Sequence, residues 1–247
     1  MKIFASGSCR LLHALSKNSN KNIEIIHDVE EGNDYKGTNF LGKFHDTKCH
    51  IQFIHFLQEK ITMNDESLKK FFTAYNIEKW RKLGSYLPDS CENPKIINTL
   101  KKNIDSCDVY IFEICSLKLY KLGDCYCSSE QLDEEEKKKG EIMIQDEENL
   151  LFDLYYLTFL FPNKKIIFQC HFRPNIIYNE REKSIQNREL IYETLKKFCD
   201  NKNTFLYDPS ELIKFDNNLF DGDIHFTSKG LHESFNHICN VYLNNWI

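Results

Sequence analysis

Short apolar runs alternate along the chain with stretches whose apolar positions recur every three or four residues, the signature of strands alternating with helices. The first run, Lys2-Ile3-Phe4-Ala5-Ser6, ends at Gly7-Ser8-Cys9-Arg10, and Leu11, Leu12 and Leu15 then carry a helical stripe. Ile23-Glu24-Ile25-Ile26 is the next strand candidate, followed by a loop through Glu31-Gly32-Asn33 and Gly37-Thr38-Asn39. A helix starting near Asp46 or Thr47 turns Cys49, Phe53, Phe56 and Leu57 inward and leaves Lys48 and Gln52 to water. Asn93-Pro94 opens another helix: the Asn side chain caps orphan backbone donors, Pro fits the first helical position, and Ile97, Leu100 and Ile104 supply the stripe.

Two runs are apolar almost throughout, Val109-Tyr110-Ile111-Phe112-Glu113-Ile114 and Lys165-Ile166-Ile167-Phe168-Gln169. Such runs suit strands buried on both faces and so a parallel sheet. Between them, Leu119 to Cys127 reads as a small hairpin around Gly123-Asp124. The charge block Asp133 to Lys139 has no apolar periodicity and reads as a solvated loop. Leu150 to Leu160 and Arg188 to Cys199 read as helices, Thr204-Phe205-Leu206-Tyr207 as the last strand, and Leu231, Phe235, Ile238 and Tyr242 as the stripe of a C-terminal helix. With no internal repeat and no linker, the pattern predicts one doubly wound domain over residues 1–247, a three-layer α/β/α sandwich around a mainly parallel sheet.

Composition narrows the function. The 247 residues are 41% hydrophobic, enough for a sizeable core, and 32 Lys+Arg against 37 Asp+Glu give a net charge of -5. That balance argues against nucleic acid and anionic membrane as partners held by bulk charge. The longest nearly apolar stretch, Leu150 to Phe161, is about half a membrane span and contains Asp153. Met1 leads straight into the first strand without a leader, so the expected location is the cytoplasm, with no membrane insertion. The ten cysteines, scattered along such a chain, are expected as free thiols. The first turn lacks Gly-x-Gly-x-x-Gly and no Gly-Lys-Ser/Thr occurs, which disfavours NAD and P-loop chemistry.

Ligands of an open α/β sheet gather beyond the carboxyl ends of its strands, and three polar blocks lie there. The first is Gly7-Ser8-Cys9-Arg10, where a tight turn offers a thiol and backbone N–H groups at a helix start. The second is Cys170-His171-Phe172-Arg173. The third is Asp221-Gly222-Asp223-Ile224-His225-Phe226-Thr227, in which a carboxylate beside a histidine orients its ring and steadies the imidazolium.

The first and third blocks together resemble the SGNH/GDSL hydrolase superfamily, with its Gly-Asp-Ser-like opening and its Asp-x-x-His block before the last helix. The resemblance implies an SGNH-like, flavodoxin-like fold, puts Cys9 at the position of the nucleophilic serine and Ser8 at that of the aspartate, and makes His225 the base. A Gly-Ser-Cys opening is more similar to the WcbI-type polysaccharide-biosynthesis enzymes, which are acetyltransferase-like. The residue three before His225 is Gly222, so the orienting carboxylate falls to Asp223 or Asp221. The strand ending Phe112-Glu113-Ile114-Cys115-Ser116 lacks the family's Gly-x-Asn-Asp, leaving Ser116, Gly42 or the amides of Cys9 and Arg10 as oxyanion donors.

Each residue also has a plainer reading. Cys9 suits a packed helix start, Ser8 an N-cap, a supporting hydrogen bond or the nucleophile itself, and His225 a satisfied loop histidine. Two of only five arginines, Arg10 and Arg173, follow strands and are candidates to clamp phosphate, with a surface salt bridge as the alternative for Arg173. His171 contacts substrate or merely ends its strand, and His45 suits a cap or packing more than the site. Cys49, His50 and His55, and Cys125-Tyr126-Cys127, are too sparse for a metal centre and read as structural.

The reading that follows from the resemblance is transfer of an acetyl group to a sugar or nucleotide sugar, with acetyl-CoA as co-substrate and no bound cofactor or metal. Its sites are Cys9, His225, Asp223 and Ser8 for catalysis, and Gly7, Arg10, His171, Arg173, Ser116 and His45 for substrate or coenzyme A. The alternatives are an esterase or deacetylase acting on a carbohydrate or lipid ester and a catalytically inactive binding module. Association of identical copies stays open.

Overall fold

In the computed structural model, which describes residues 1–16, 18, 20–26, 44–72, 93–173, 182–199, 202–213, 217–221 and 225–246, the apolar runs form one parallel sheet. Its strands are β1 (Lys2–Ser6), β2 (Glu24–Ile26), β3 (Val109–Ile114), β7 (Lys165–Cys170) and β8 (Thr204–Tyr207), in the order β2-β1-β3-β7-β8. All four pairings are parallel. The order reverses between β1 and β3, and in doubly wound sheets the crevice at such a reversal is where ligands bind.

Side chains alternate between the two faces of the strands. Phe4, Tyr110, Phe112, Ile114, Ile166 and Phe168 pack on one side with α2 (Thr47–Leu57), α4 (Asn93–Asn103), α6 (Glu147–Leu160) and α7 (Glu182–Phe198). Ile3, Ala5, Val109, Ile111 and Ile167 face the other way, onto α1 (Cys9–Leu15) and α9 (Ser228–Val241). This is the three-layer α/β/α sandwich that the sequence predicts. The first face is aromatic: the Phe4 ring lies 6.1 Å from both Phe53 and Tyr110, and Phe161 stacks on Tyr110 at 3.8 Å.

Three further strands, β4 (Lys118–Leu122), β5 (Cys125–Ser128) and β6 (Glu141–Ile144), form a small antiparallel sheet in the order β5-β4-β6. The β4-β5 turn needs Gly123, whose φ of 61° is a left-handed conformation that a Cβ would strain. Gln52 is buried rather than wet. Its Nε2 donates to the Tyr126 carbonyl at 3.1 Å and its Oε1 accepts from the Tyr126 amide at 2.9 Å, so one side chain closes the open edge of β5.

The charge block after β5 is also a correction: Glu134–Lys139 is a helix, α5, not a loop, although its surface is solvated. Apolar periodicity is unnecessary because Asp133 accepts from the Glu136 amide at 2.9 Å while Glu136 accepts from that of Asp133 at 3.0 Å. Its acidic first turn and basic last turn also match the helix dipole. The other short elements are α3 (Asp65–Phe71), α8 (Ser210–Ile213), β9 (Phe220–Asp221) and β10 (His225–Phe226).

The two loop segments around Gly32 and Gly37, Gly42, and Asp223 with its neighbours Gly222 and Ile224 lie outside the described residues. Cys49, Cys107, Cys115, Cys125, Cys127, Cys170, Cys199 and Cys239 carry free thiols. Among the described residues no helix is long and apolar enough to cross a membrane.

Asp153, buried on the largely apolar α6, anchors that helix to α2. Its carboxylate accepts from Thr47 Oγ1 and Gln145 Nε2, each at 2.7 Å, and from Lys48 Nζ at 3.2 Å. Replacing it by alanine removes the shortest acceptor of the buried Thr47 and Gln145 groups, which keep their longer contacts with each other at 3.0 and 3.3 Å. Asp153→Ala is expected to lower the unfolding free energy by about 1–3 kcal/mol, measured as a lower urea midpoint at unchanged slope.

Candidate functional site

The parallel register builds the site. Ser6 pairs with Phe112, so Gly7 follows opposite Glu113, and Glu113 in turn pairs with Gln169 and Gln169 with Tyr207. Gly7, Glu113, Gln169 and Tyr207 therefore form a row across the carboxyl ends of four neighbouring strands, on the face covered by α1 and α9. Gly7 is required by close approach: a Cβ there would lie 2.6 Å from Glu113 Cβ and 3.0 Å from its Oε2.

Glu113 is fully buried, at 0% exposure, and organises the first block. Its Oε2 accepts from the Ser8 amide at 2.7 Å and the Ser8 hydroxyl at 2.6 Å, and its Oε1 pairs with Arg10 Nε at 2.6 Å. Burial pushes its pKa up, but the Arg10 charge, His45 and the two Ser8 hydrogen bonds together outweigh burial and hold it below the ordinary glutamate value. Arg10 is only 5% exposed and also donates from an Nη to Cys115 Sγ at 3.2 Å. This internal role takes the place of the expected phosphate clamp.

Ser8 is the N-cap of α1, accepting from the Arg10 amide at 3.4 Å. Its hydroxyl proton goes to Glu113. Cys9 is the first helical residue, directly after this cap.

His50 supports Glu113 from below. Burial lowers its pKa to about 4, so the ring is neutral at pH 7. Its Nε2 lies 2.9 Å from the Glu113 carbonyl, which only accepts, so Nε2 carries the proton and Nδ1 accepts from Ser6 Oγ at 2.9 Å. The His45 carbonyl accepts from the amides of Cys115 and Ser116, both at 2.9 Å, tying the end of β3 to the start of α2. The cap of α2 is Asp46, which accepts from the Cys49 amide at 2.9 Å, not His45.

Ser116 has no donor to offer an oxyanion: besides its amide bond to His45, its hydroxyl donates to the Lys118 carbonyl at 2.9 Å. At the end of β7, His171 is buried and its Nδ1 lies 2.9 Å from the Phe172 carbonyl, so that nitrogen is the donor. Burial, then the charges of Arg10 and Arg188, drives its pKa well below the usual histidine range, which leaves Nε2 an acceptor. Arg173 pairs with Asp208 at 2.7 Å and Glu189 at 3.1 Å and covers the Tyr192 ring at 3.4 Å, the salt-bridge alternative rather than a phosphate clamp.

His225 sits on a hairpin held over the same end of the sheet. Phe226 is buried 5.0 Å from the Phe220 ring and 6.1 Å from Phe172, while His225, on the opposite side of the strand, is exposed. Its antiparallel strand partner is Asp221, and Asp223 lies outside the described residues. The hairpin is locked to α9, since Thr227 Oγ1 accepts from the Gly230 amide at 3.1 Å and donates to the Asn218 carbonyl at 3.0 Å.

Among the described residues no group of three or more His, Cys, Asp or Glu side chains could hold a metal ion. Cys125 and Cys127 lie 3.8 Å apart and His55 bonds the Tyr156 hydroxyl at 3.1 Å. Glu113 and Gln169 stand in the row across the strand ends though the sequence reading does not single them out, whereas His50, read there as structural, supports Glu113. The available signal was polarity inside a run otherwise apolar, in Phe112-Glu113-Ile114 and Phe168-Gln169-Cys170.

No protein-family model matches the chain, and no curated protein matches it. Among solved structures it is similar to a member of the lipolytic protein G-D-S-L family from Veillonella parvula, at 10% identity and a TM-score of 0.49 over 98% of both chains. It is also similar to a Clostridium thermocellum family 3 carbohydrate esterase, at 13% identity and a TM-score of 0.40 over 99% of this chain and 96% of that one. The α/β/α architecture rests on strand order and register, which the chain displays by itself.

Two outcomes follow from the Glu113 network. Gly7→Ala forces β1 and β3 apart where they carry the site, and is expected to lower the melting temperature, read by circular dichroism. Glu113→Gln removes the carboxylate charge that pairs with the buried Arg10 guanidinium and is expected to cost about 3–5 kcal/mol at neutral pH. Because the folded pKa of Glu113 is depressed, its contribution is present above the unfolded value of about 4.5 and lost as pH falls through the folded one. Urea unfolding should therefore show the gap between wild type and variant narrowing below about pH 4.5.

Proposed function

We propose that the chain is an SGNH-like acyl-ester hydrolase in which Cys9 is the nucleophile and His225 the base. The observation that carries this reading is the turn from Gly7 to Arg10, fixed on a buried carboxylate at the strand-order reversal, with an exposed histidine on a strand paired with β9 over the same end of the sheet. Water as the acyl acceptor is better supported than a coenzyme A route. The two guanidinium groups that would grip a diphosphate, Arg10 and Arg173, are held in internal ion pairs.

In this reading His225 takes the proton of the Cys9 thiol, and the sulfur attacks the ester carbonyl carbon. The tetrahedral intermediate collapses, the C–O bond breaks, and the alcohol leaves with the proton that His225 returns. His225 then deprotonates water, hydroxide attacks the thioester, and the carboxylic acid departs as Cys9 regains its proton. Ser8 supports the turn instead of attacking, because its hydroxyl is bonded to Glu113.

Cys9→Ala and His225→Ala are each expected to reduce kcat/KM on p-nitrophenyl acetate by about 10²–10⁴-fold, with circular dichroism unchanged. Intact-mass spectrometry of the wild type during turnover should show an acyl adduct that Cys9→Ala lacks. Acetylation of nucleotide amino sugars from acetyl-CoA, with no ester cleavage, would replace this reading with a sugar acetyltransferase. Silence in both assays would favour a binding module.

A further inference from the structure

Gln169 stands between Glu113 and Tyr207 in the row across the sheet and is fully buried. Its two neighbours are satisfied, Glu113 by Ser8 and Arg10, and Tyr207 by the Ser234 hydroxyl at 2.7 Å. Among the described residues neither Oε1 nor Nε2 of Gln169 has a hydrogen-bond partner. Native interiors carry few such groups, and each weakens the fold unless something outside the protein meets it.

Its position says what that partner is. Glutamine and glutamate side chains have the same length, and that of Gln169 rises from the same face as Glu113, one strand spacing of about 4.8 Å away. Glu113 reaches the turn that carries Cys9. On the other side, β7 leads within two residues to His171 and Phe172, against which the His225 hairpin packs. Gln169 thus lies between the nucleophile turn and the histidine hairpin. Of the candidate oxyanion donors, Ser116 is engaged through both its amide and its hydroxyl and the Arg10 amide bonds Ser8 Oγ at 3.4 Å, while the neighbouring Ser8 amide is taken by Glu113.

We propose that Gln169 is a substrate-contacting residue whose carboxamide Nε2 donates a hydrogen bond to the carbonyl oxygen of an acyl group bound at the turn from Gly7 to Arg10. The proposal rests on the acyl-transfer reading of the site. It makes Gln169 the donor that the family's asparagine would otherwise supply. The bond strengthens as negative charge gathers on that oxygen, so the group acts on kcat more than on KM.

The experiment is Gln169→Met, which keeps the length and removes the donor, assayed for p-nitrophenyl acetate hydrolysis and thermal unfolding beside the wild type. The expected result is a fall in kcat of about 10²–10³-fold with KM little changed, while the melting temperature holds or rises because an unmet buried amide has gone. Gln169→Leu repeats the test if the methionine variant folds poorly. An active wild type with an equally active variant overturns the role of Gln169 and leaves the hydrolase reading standing. A fall in melting temperature parallel to the loss of activity makes Gln169 structural and overturns the proposal. A wild type that cleaves no ester removes the hydrolase reading, and this proposal with it.

Discussion

The carboxylate of Glu113 sits where a charge is least welcome, in the middle of a parallel sheet with no exposure at all. Such a group is tolerated only when donors and a counter-charge surround it, and Ser8 and Arg10 supply both within 2.7 Å. The consequence is geometric. The chain leaving β1 must turn at Gly7 so that Ser8 presents its amide and hydroxyl to the carboxylate, and that turn sets the start of α1. His50, neutral at pH 7, fixes the backbone of Glu113 from α2, and the His45 carbonyl fixes the two residues beyond β3. The ionised side chain therefore ties β3 to the turn between β1 and α1, and the backbone around it ties β3 to α2, at the end of the sheet where chemistry is expected.

The two faces of the sheet divide the work. The side packed against α2, α4, α6 and α7 is filled by phenylalanine and tyrosine rings, which give a stiff, close-packed support. The side packed against α1 and α9 is mainly aliphatic at its amino end and becomes polar at the carboxyl end, where Glu113 and Gln169 replace apolar residues. The polar row is thus backed by the more rigid half of the core, an arrangement that holds side chains in place without loops having to do so.

Much of the fold was legible in the sequence because strands buried on both faces must be apolar nearly throughout, and Val109 to Ile114 and Lys165 to Gln169 show this plainly. The helix at Glu134–Lys139 was not legible through periodicity, since capping and charge order hold it. Gln52 was misjudged because a polar side chain on a helix looks wet until the edge strand it meets is known. At the site, the Gly-Ser-Cys-Arg block and the Asp-x-His block could be read, being polar residues beyond strand ends. Glu113 and Gln169 lie within strands, and only register reveals that they stand side by side. Arg10 and Arg173 read as candidates for phosphate, with a salt bridge as the alternative for Arg173, because their carboxylate partners, Glu113 and Asp208, are distant in sequence.

The contact between Gly7 and Glu113 also constrains how this chain can vary. A methyl group at position 7 falls on the β-carbon of Glu113, so any larger residue there demands glycine at 113 or a shift of the two strands. Loss of Glu113 in turn takes away the carboxylate that Arg10 and Ser8 both bond, so neither keeps its present role. Positions 7, 8, 10 and 113 are in this sense a single heritable unit, spread over more than a hundred residues of chain. In related chains they are expected to change together or not at all, and a chain in which only one has changed has lost the turn that the other three maintain.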